Sequence, residues 1–181
     1  MRRIVAGLFM SLDGVVESPE KWQTPYFNDE MGAELGAQMA QSDALLLGRR
    51  TYEEFAAFWP GQGSTGPGAF MNNVQKMVVS STLGTAEWQN STVIEGDLRE
   101  ELTTLRNQTG NNILVSGSIT LVSSLLRHDL LDELGLMVCP LVIGNGRRFL
   151  EDPAGPVPLT LTGSKAFSNG VLSLTYRPSV G

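Results

Sequence analysis

Cysteine and histidine are almost missing from this chain, which has one of each, Cys139 and His128, in 181 residues. A single thiol closes no internal disulfide, and one thiol with one imidazole cannot assemble a zinc site of nitrogen and sulfur ligands. A metal-free fold in a reducing, cytoplasmic compartment is the expectation. Basic residues are outnumbered too: 13 Lys and Arg stand against 19 Asp and Glu, a formal net charge of −6. That sign argues against a protein that grips DNA or RNA through its phosphates, so no nucleic-acid partner is expected. No apolar run approaches the roughly 20 residues that span a bilayer, so neither is a membrane partner. The run Ile4 to Met10 behind Arg2 and Arg3 stops at Ser11-Leu12-Asp13-Gly14 with no small-residue cleavage pattern. It reads as a first strand and not as a signal peptide.

What the chain does contain is enough apolar material, 41%, for one well-buried core, and a single domain over residues 1–181 is expected. Short apolar runs recur at Arg3 to Met10, Ala44 to Leu47, Lys76 to Ser80, Thr92 to Ile94, Ile113 to Val115, Glu133 to Cys139, Leu159 to Phe167 and Val171 to Tyr176. Several continue through Val, Ile and Leu without alternation, as strands do when both faces of a sheet are covered. Between them lie helical stripes: Met31, Leu35 and Met39; Leu98, Leu102 and Leu105 behind a cap at Asp97; and Leu121, Val122, Leu125 and Leu126. Only Ser168-Asn169-Gly170 separates the last two strands, a hairpin signal. The pattern predicts an α/β fold with a largely parallel sheet that ends in an antiparallel hairpin. Pro60 to Gly68 and Pro153 to Pro158 read as surface loops.

Open α/β sheets bind ligands beyond the carboxyl ends of their strands, which directs attention to three turns. Gly48-Arg49-Arg50-Thr51 follows the second strand and opens a helix; two guanidinium groups near a helix N-terminus suit a phosphate, or else are solvated. Ser80 and Ser81 end the third strand with hydroxyls that serve phosphate or a turn equally well. Ser116-Gly117-Ser118-Ile119 lets the backbone approach a pyrophosphate, although one glycine is weaker than a full G-x-G-x-x-G and also fits simple packing. Trp22, Tyr26 and Phe27 before the first helix, with Phe58 and Trp59 after the second, are candidates to line one apolar pocket for planar rings; core packing is the other explanation. Asp13, beside Gly14, is the candidate polar group for proton delivery, or a turn former.

Taken together, Ser11-Leu12-Asp13-Gly14, Leu47-Gly48-Arg49-Arg50-Thr51-Tyr52-Glu53, Val79-Ser80-Ser81-Thr82-Leu83, Val115-Ser116-Gly117-Ser118 and Leu131-Asp132-Glu133-Leu134 leading to Pro140-Leu141-Val142-Ile143-Gly144-Asn145-Gly146 resemble the dihydrofolate reductase superfamily. Within it they resemble the branch that holds the C-terminal reductase domain of bacterial riboflavin-biosynthesis deaminase-reductases. The resemblance spans nearly the whole chain and implies a three-layer dihydrofolate-reductase-like fold, NADPH as cofactor, and a homodimer.

By position, the resemblance implies that Gly48, Arg49, Arg50, Thr51, Ser80 and Ser81 hold the adenosine 2′-phosphate and neighbouring phosphates, and Gly117, Ser118 and Ile119 the pyrophosphate. It places Asp13 and Gly14 beside the nicotinamide and the substrate. The implied activity is hydride transfer to a small heterocycle, of the 5-amino-6-(5-phosphoribosylamino)uracil reductase type. The alternatives are dihydrofolate-reductase-like activity on a pteridine, or a non-catalytic NADP-binding regulatory module. The family's Asp-x-Pro-x-Leu-Thr-x-Arg stretch is replaced here by Glu53-Glu54-Phe55-Ala56-Ala57-Phe58-Trp59-Pro60, acidic and aromatic, which counts against a phosphorylated substrate. A homodimer is also read from the apolar letters of Leu131 through Pro140 to Ile143, which exceed the needs of one strand inside a monomer.

Overall fold

The computed structural model describes residues 1–151 and 155–179. Eight strands form one sheet: β1 (Ile4–Ser11), β2 (Ser42–Gly48), β3 (Gln75–Val79), β4 (Ser91–Ile94), β5 (Asn112–Ser116), β6 (Glu133–Cys139), β7 (Leu159–Ala166) and β8 (Leu172–Pro178). Their order is β4-β3-β2-β5-β1-β6-β8-β7. β1 to β6 pair in parallel, and the hairpin of β7 and β8 then adds antiparallel strands beyond β6. The expected α/β architecture, mostly parallel with a closing hairpin, is the one observed.

Among the described residues five α-helices flank the sheet: α1 (Asp29–Ala40), α2 (Arg49–Phe58), α3 (Gly66–Asn73), α4 (Leu98–Asn107) and α5 (Ile119–Arg127). Period-two alternation along the strands decides which helix each residue meets. Ile4, Ala6 and Leu8 of β1 join Leu102 of α4 and Leu121, Val122, Leu125 and Leu126 of α5 in one core. Val5, Leu45, Leu47 and Leu114 point the other way, to Tyr52 of α2 and Met71 of α3. Met31 of α1 packs on that second side with Met137, Cys139 and Phe167. Covering both faces explains the unbroken apolar runs and gives three layers.

α3 is the element that the sequence reading missed. Its first residues, Gly66-Pro67-Gly68, look like turn punctuation, yet proline is tolerated in a first helical turn. Gly68 is required by close approach, since a Cβ there would lie 2.5 Å from the Gln62 carbonyl oxygen. The loop expected from Pro60 to Gly68 is therefore shorter. In the second expected loop, Pro153 lies outside the described residues, and 155–158 has no regular structure.

The long strand expected toward Ile143 ends at Cys139. β6 is paired on both edges, to β1 and β8. Its apolar letters are used within one chain: Leu134, Leu136 and Val138 on one face, Met137 and Cys139 on the other.

One fully buried cation ties α3 to β3. Lys76 has no exposed surface, and its Nζ donates to the carbonyls of Met71 at 2.9 Å, Asn72 at 3.3 Å and Val74 at 2.8 Å. These belong to the last turn of α3, where carbonyls lack helical partners and a positive charge is favoured. The same ammonium lies 4.3 Å from the Trp88 ring centroid.

Candidate cofactor and substrate site

β5 is inserted between β2 and β1, which makes the turn after β2 and the turn after β5 neighbours. Two hydrogen bonds lock them. The Gly48 amide donates to Ser118 Oγ at 3.0 Å, and the Ser118 amide donates to Thr51 Oγ1 at 3.1 Å. Gly117 has φ +63° and Ser118 φ 52°, so two successive left-handed residues swing the chain directly from strand into α5. A Cβ on Gly117 would lie 3.3 Å from Thr51 Cγ2, on backbone that already disfavours a side chain. Thr51 is thus a positioning group that holds one turn against the other.

Side chains cap two helices elsewhere, Asn28 on α1 and Asp97 on α4. α2 and α5 have no side-chain cap, so the amides of their first turns remain available as anion donors. Both helix starts open onto one cavity of about 920 Å³, whose wall includes Gly48, Arg49, Arg50 and Thr51 on one side and Gly117, Ser118 and Ile119 on the other. Arg49 is partly engaged, its Nη1 3.0 and 3.3 Å from the Glu53 carboxylate oxygens. No ion pair involves Arg50 among the described residues. Seven of the nine residues assigned to the cofactor therefore line one space.

The other two do not. Ser80 and Ser81 follow β3, beyond the wall of that cavity. Ser80 Oγ accepts the amides of Thr82 at 3.1 Å and Leu83 at 2.9 Å, the geometry of a turn. The five aromatic candidates do not form one pocket either. Trp22 and Tyr26 pack in the cluster around Met31, and Trp59 packs in the separate cluster around Tyr52. Phe27 and Phe58 are exposed, at 50% and 55%.

The cavity continues instead under α1 and the loop after β1, past Glu17, Glu20, Glu34, Leu35 and Gln38, over Gly7, Gly135 and Met137 of the sheet. Apart from Leu35, which the sequence offered only as part of an apolar helical stripe, none of these was singled out from sequence. The available signal was an isolated glycine inside each of two strands, which often marks a close approach.

Asp13 has a structural employment. Oδ1 accepts from Ser11 Oγ at 2.7 Å and the Ile143 amide at 3.0 Å, and Oδ2 accepts from the Gly144 amide at 2.8 Å. The Ser11 hydroxyl and these amides hold its carboxyl well below the usual carboxylate range. Arg148 Nε donates to the Asp13 carbonyl at 3.0 Å, and Gly14, with φ +87°, completes the turn. Neither Asp13 nor Gly14 lies on the cavity wall. Asp13 ties the loop after β1 to the loop after β6.

A carboxylate whose folded pKa is depressed stabilises the fold above its unfolded value and loses that contribution as pH falls. Acid titration of the folded fraction should therefore show a limb, below about pH 4, that is shallower in Asp13→Asn than in the parent. Superimposable acid limbs would count against the anchoring role.

The profile of the RibD C-terminal domain matches residues 2–173. The uncharacterized protein YyaP of Bacillus subtilis is 24% identical over 181 residues, covering 97% of this chain and 95% of that protein. A putative riboflavin biosynthesis protein from Shewanella sp. PV-4 superposes with a TM-score of 0.81 at 20% identity, covering 99% of this chain and all of that one. Dihydrofolate reductase from Enterococcus faecalis, solved with NADP(H), superposes with a TM-score of 0.66 at 14% identity, covering 98% and 97%. The shared fold is that of dihydrofolate reductase, and a match running from the first strand into the last places this chain in the RibD C-terminal domain family.

Proposed function

We propose that this chain is an NADPH-dependent reductase of the riboflavin-biosynthesis reductase type, acting on a small heterocycle in the cytoplasm. The observation that carries the reading is the pair of uncapped helix N-termini, locked together through Gly48, Thr51 and Ser118 on one cavity, with the Arg50 guanidinium, which has no ion pair among the described residues, beside them. Those parts fit a dinucleotide. The amides at the starts of α2 and α5 would hold the pyrophosphate, Gly117 leaves it room, and Arg50 with Arg49 would meet a 2′-phosphate. NADPH held there would supply the hydride; the protein contributes alignment and exclusion of water.

At the substrate end, Glu17, Glu20 and Glu34 lie on the wall, with Arg147 beside Glu17, a net sign of charge that disfavours a phosphorylated substrate. In the pteridine alternative the resemblance to dihydrofolate reductase implies an acid on the first helix, for which Asp29 and Glu30 are the sequence candidates. Glu30 is engaged by the Ser168 amide at 2.8 Å and hydroxyl at 2.6 Å, so Glu34 is the α1 carboxylate that meets the cavity. With Asp13 spent on the loop, water is the proton source in this reading.

Titrating NADPH and NADH, then following absorbance loss with pteridines, flavin precursors, quinones and enones, tests the proposal. Tight NADPH binding with oxidation supports it. NADPH binding with no oxidation across the panel supports the regulatory module, and no preference for NADPH removes the cofactor assignment.

Self-association belongs to the same reading, on a different basis from the one the strand letters offered. Leu12 and Val142 are exposed at 67% and 69%, on loops joined where the Leu12 amide donates to the Leu141 carbonyl at 2.8 Å, so two exposed apolar side chains stand on neighbouring loops. A dimeric mass by light scattering at micromolar concentration is expected, and a monomeric one refutes it.

A further inference from the structure

Beneath α1 the sheet has a gap in its side chains. Gly7 and Gly135 are register partners on the adjacent strands β1 and β6, and both lie on the cavity wall. The side chain that meets them comes from α1. A Cβ on Gly7 would lie 3.0 Å from Gln38 Oε1 and 3.3 Å from Nε2, and a Cβ on Gly135 would lie 3.8 Å from Nε2. The carboxamide of Gln38 therefore lies against bare backbone. Its main-chain carbonyl accepts from Ser42 Oγ at 2.9 Å, while its side-chain amide makes no hydrogen bond among the described residues.

Neither polar atom of that carboxamide is sealed from solvent, so its donor and its acceptor are both open to a ligand in the cavity. Leu35 and Met137, on the same wall, supply apolar surface for a flat ring. The geometry points to Gln38 as the substrate-orienting residue of this cavity. Its carboxamide pairs with the N–H and C=O edge of a planar lactam ring such as a pyrimidinone or pterinone, and the Gly7 and Gly135 positions leave room for that pairing. The assignment rests on the reductase reading and names its substrate class: an unphosphorylated ring with an amide-type edge.

Uracil and pterin serve as lactam probes and 1,4-naphthoquinone as a flat ring without the amide edge. Each is titrated calorimetrically into the full chain, with and without NADPH. Gln38→Leu should weaken uracil and pterin binding about tenfold, the equivalent of one neutral hydrogen-bonded pair. Naphthoquinone and NADPH binding should stay within about twofold of the parent, a split that general loosening of the fold does not produce. Gly7→Ala, whose methyl displaces the end of Gln38 and no backbone, should reproduce the selective loss, and it decides the matter if Gln38→Leu fails to fold. Unchanged lactam binding in both variants, equal losses for lactams and quinone, or no lactam binding by the parent would overturn the assignment. Failure of NADPH to bind the parent would instead overturn the reductase reading, because the lactam titrations are also run without cofactor.

Discussion

Replacing Lys76 by Met should lower the stability of the folded chain by about 1 to 3 kcal/mol, the cost of leaving buried carbonyls without donors. Met preserves most of the volume, so the change isolates the ammonium from the packing. The carbonyls of Met71, Asn72 and Val74 lose their shared donor, and the contact with the Trp88 ring goes as well. A lower urea midpoint with an unchanged m-value is the expected result. An unchanged midpoint would mean that the desolvation cost of the cation cancels what it contributes.

The same residue has a pH signature. Burial pushes the Lys76 ammonium down from its ordinary 10.5 to about 8. Between those values the unfolded chain binds more protons than the folded one, so this group makes stability rise with pH across that window. At neutral pH it remains charged and bonded. The parent should show the rise and Lys76→Met should lack it; identical alkaline profiles would contradict the depressed pKa.

Removing Arg50 should cost about 1.5 to 3 kcal/mol of NADPH binding, roughly a tenfold to 150-fold rise in Kd, with little change for NADH. A 2′-phosphate brings about −2 charge, and a guanidinium with no ion pair among the described residues meets it without first giving one up. Arg49 shares its charge with Glu53 at 3.0 Å, so Arg49→Ala should cost less than Arg50→Ala. Titration of both cofactors against the parent and the two single variants, followed by protein fluorescence, measures the difference. Equal affinity of the parent for NADPH and NADH would end the assignment of these arginines to phosphate.

Much of this fold was legible in the letters because the information is local. Each strand announced itself by an apolar run, and the Asp97 cap was readable from its position ahead of a helical stripe; its carboxylate accepts the Glu100 amide at 3.1 Å. α3 was missed because Gly66-Pro67-Gly68 is ambiguous between a turn and a helix start until the nearby Gln62 carbonyl is in place. The candidate site was legible in part. Gly48 to Thr51 and Gly117 to Ile119 carry their chemistry in consecutive residues, but Ser80 satisfies its own turn. The aromatic residues share a composition and not a location. Asp13 read as a candidate for proton delivery or as a turn former, and the partners that engage its carboxylate, at Ile143 and Gly144, lie 130 and 131 residues away.

By itself the sequence determined the eight strands and every α-helix but α3, which faces are apolar, and which strand-to-helix turns carry phosphate-compatible residues. Only the tertiary structure decided that those turns meet. A strand's periodicity specifies its faces, because alternate side chains must be buried or solvated, but it says nothing of which strand lies at its edge. The insertion of β5 between β2 and β1, a choice made by long-range backbone pairing, brings Thr51 to Ser118. The pairing of β1 with β6 sets Gly7 beside Gly135 and opens the space beneath α1.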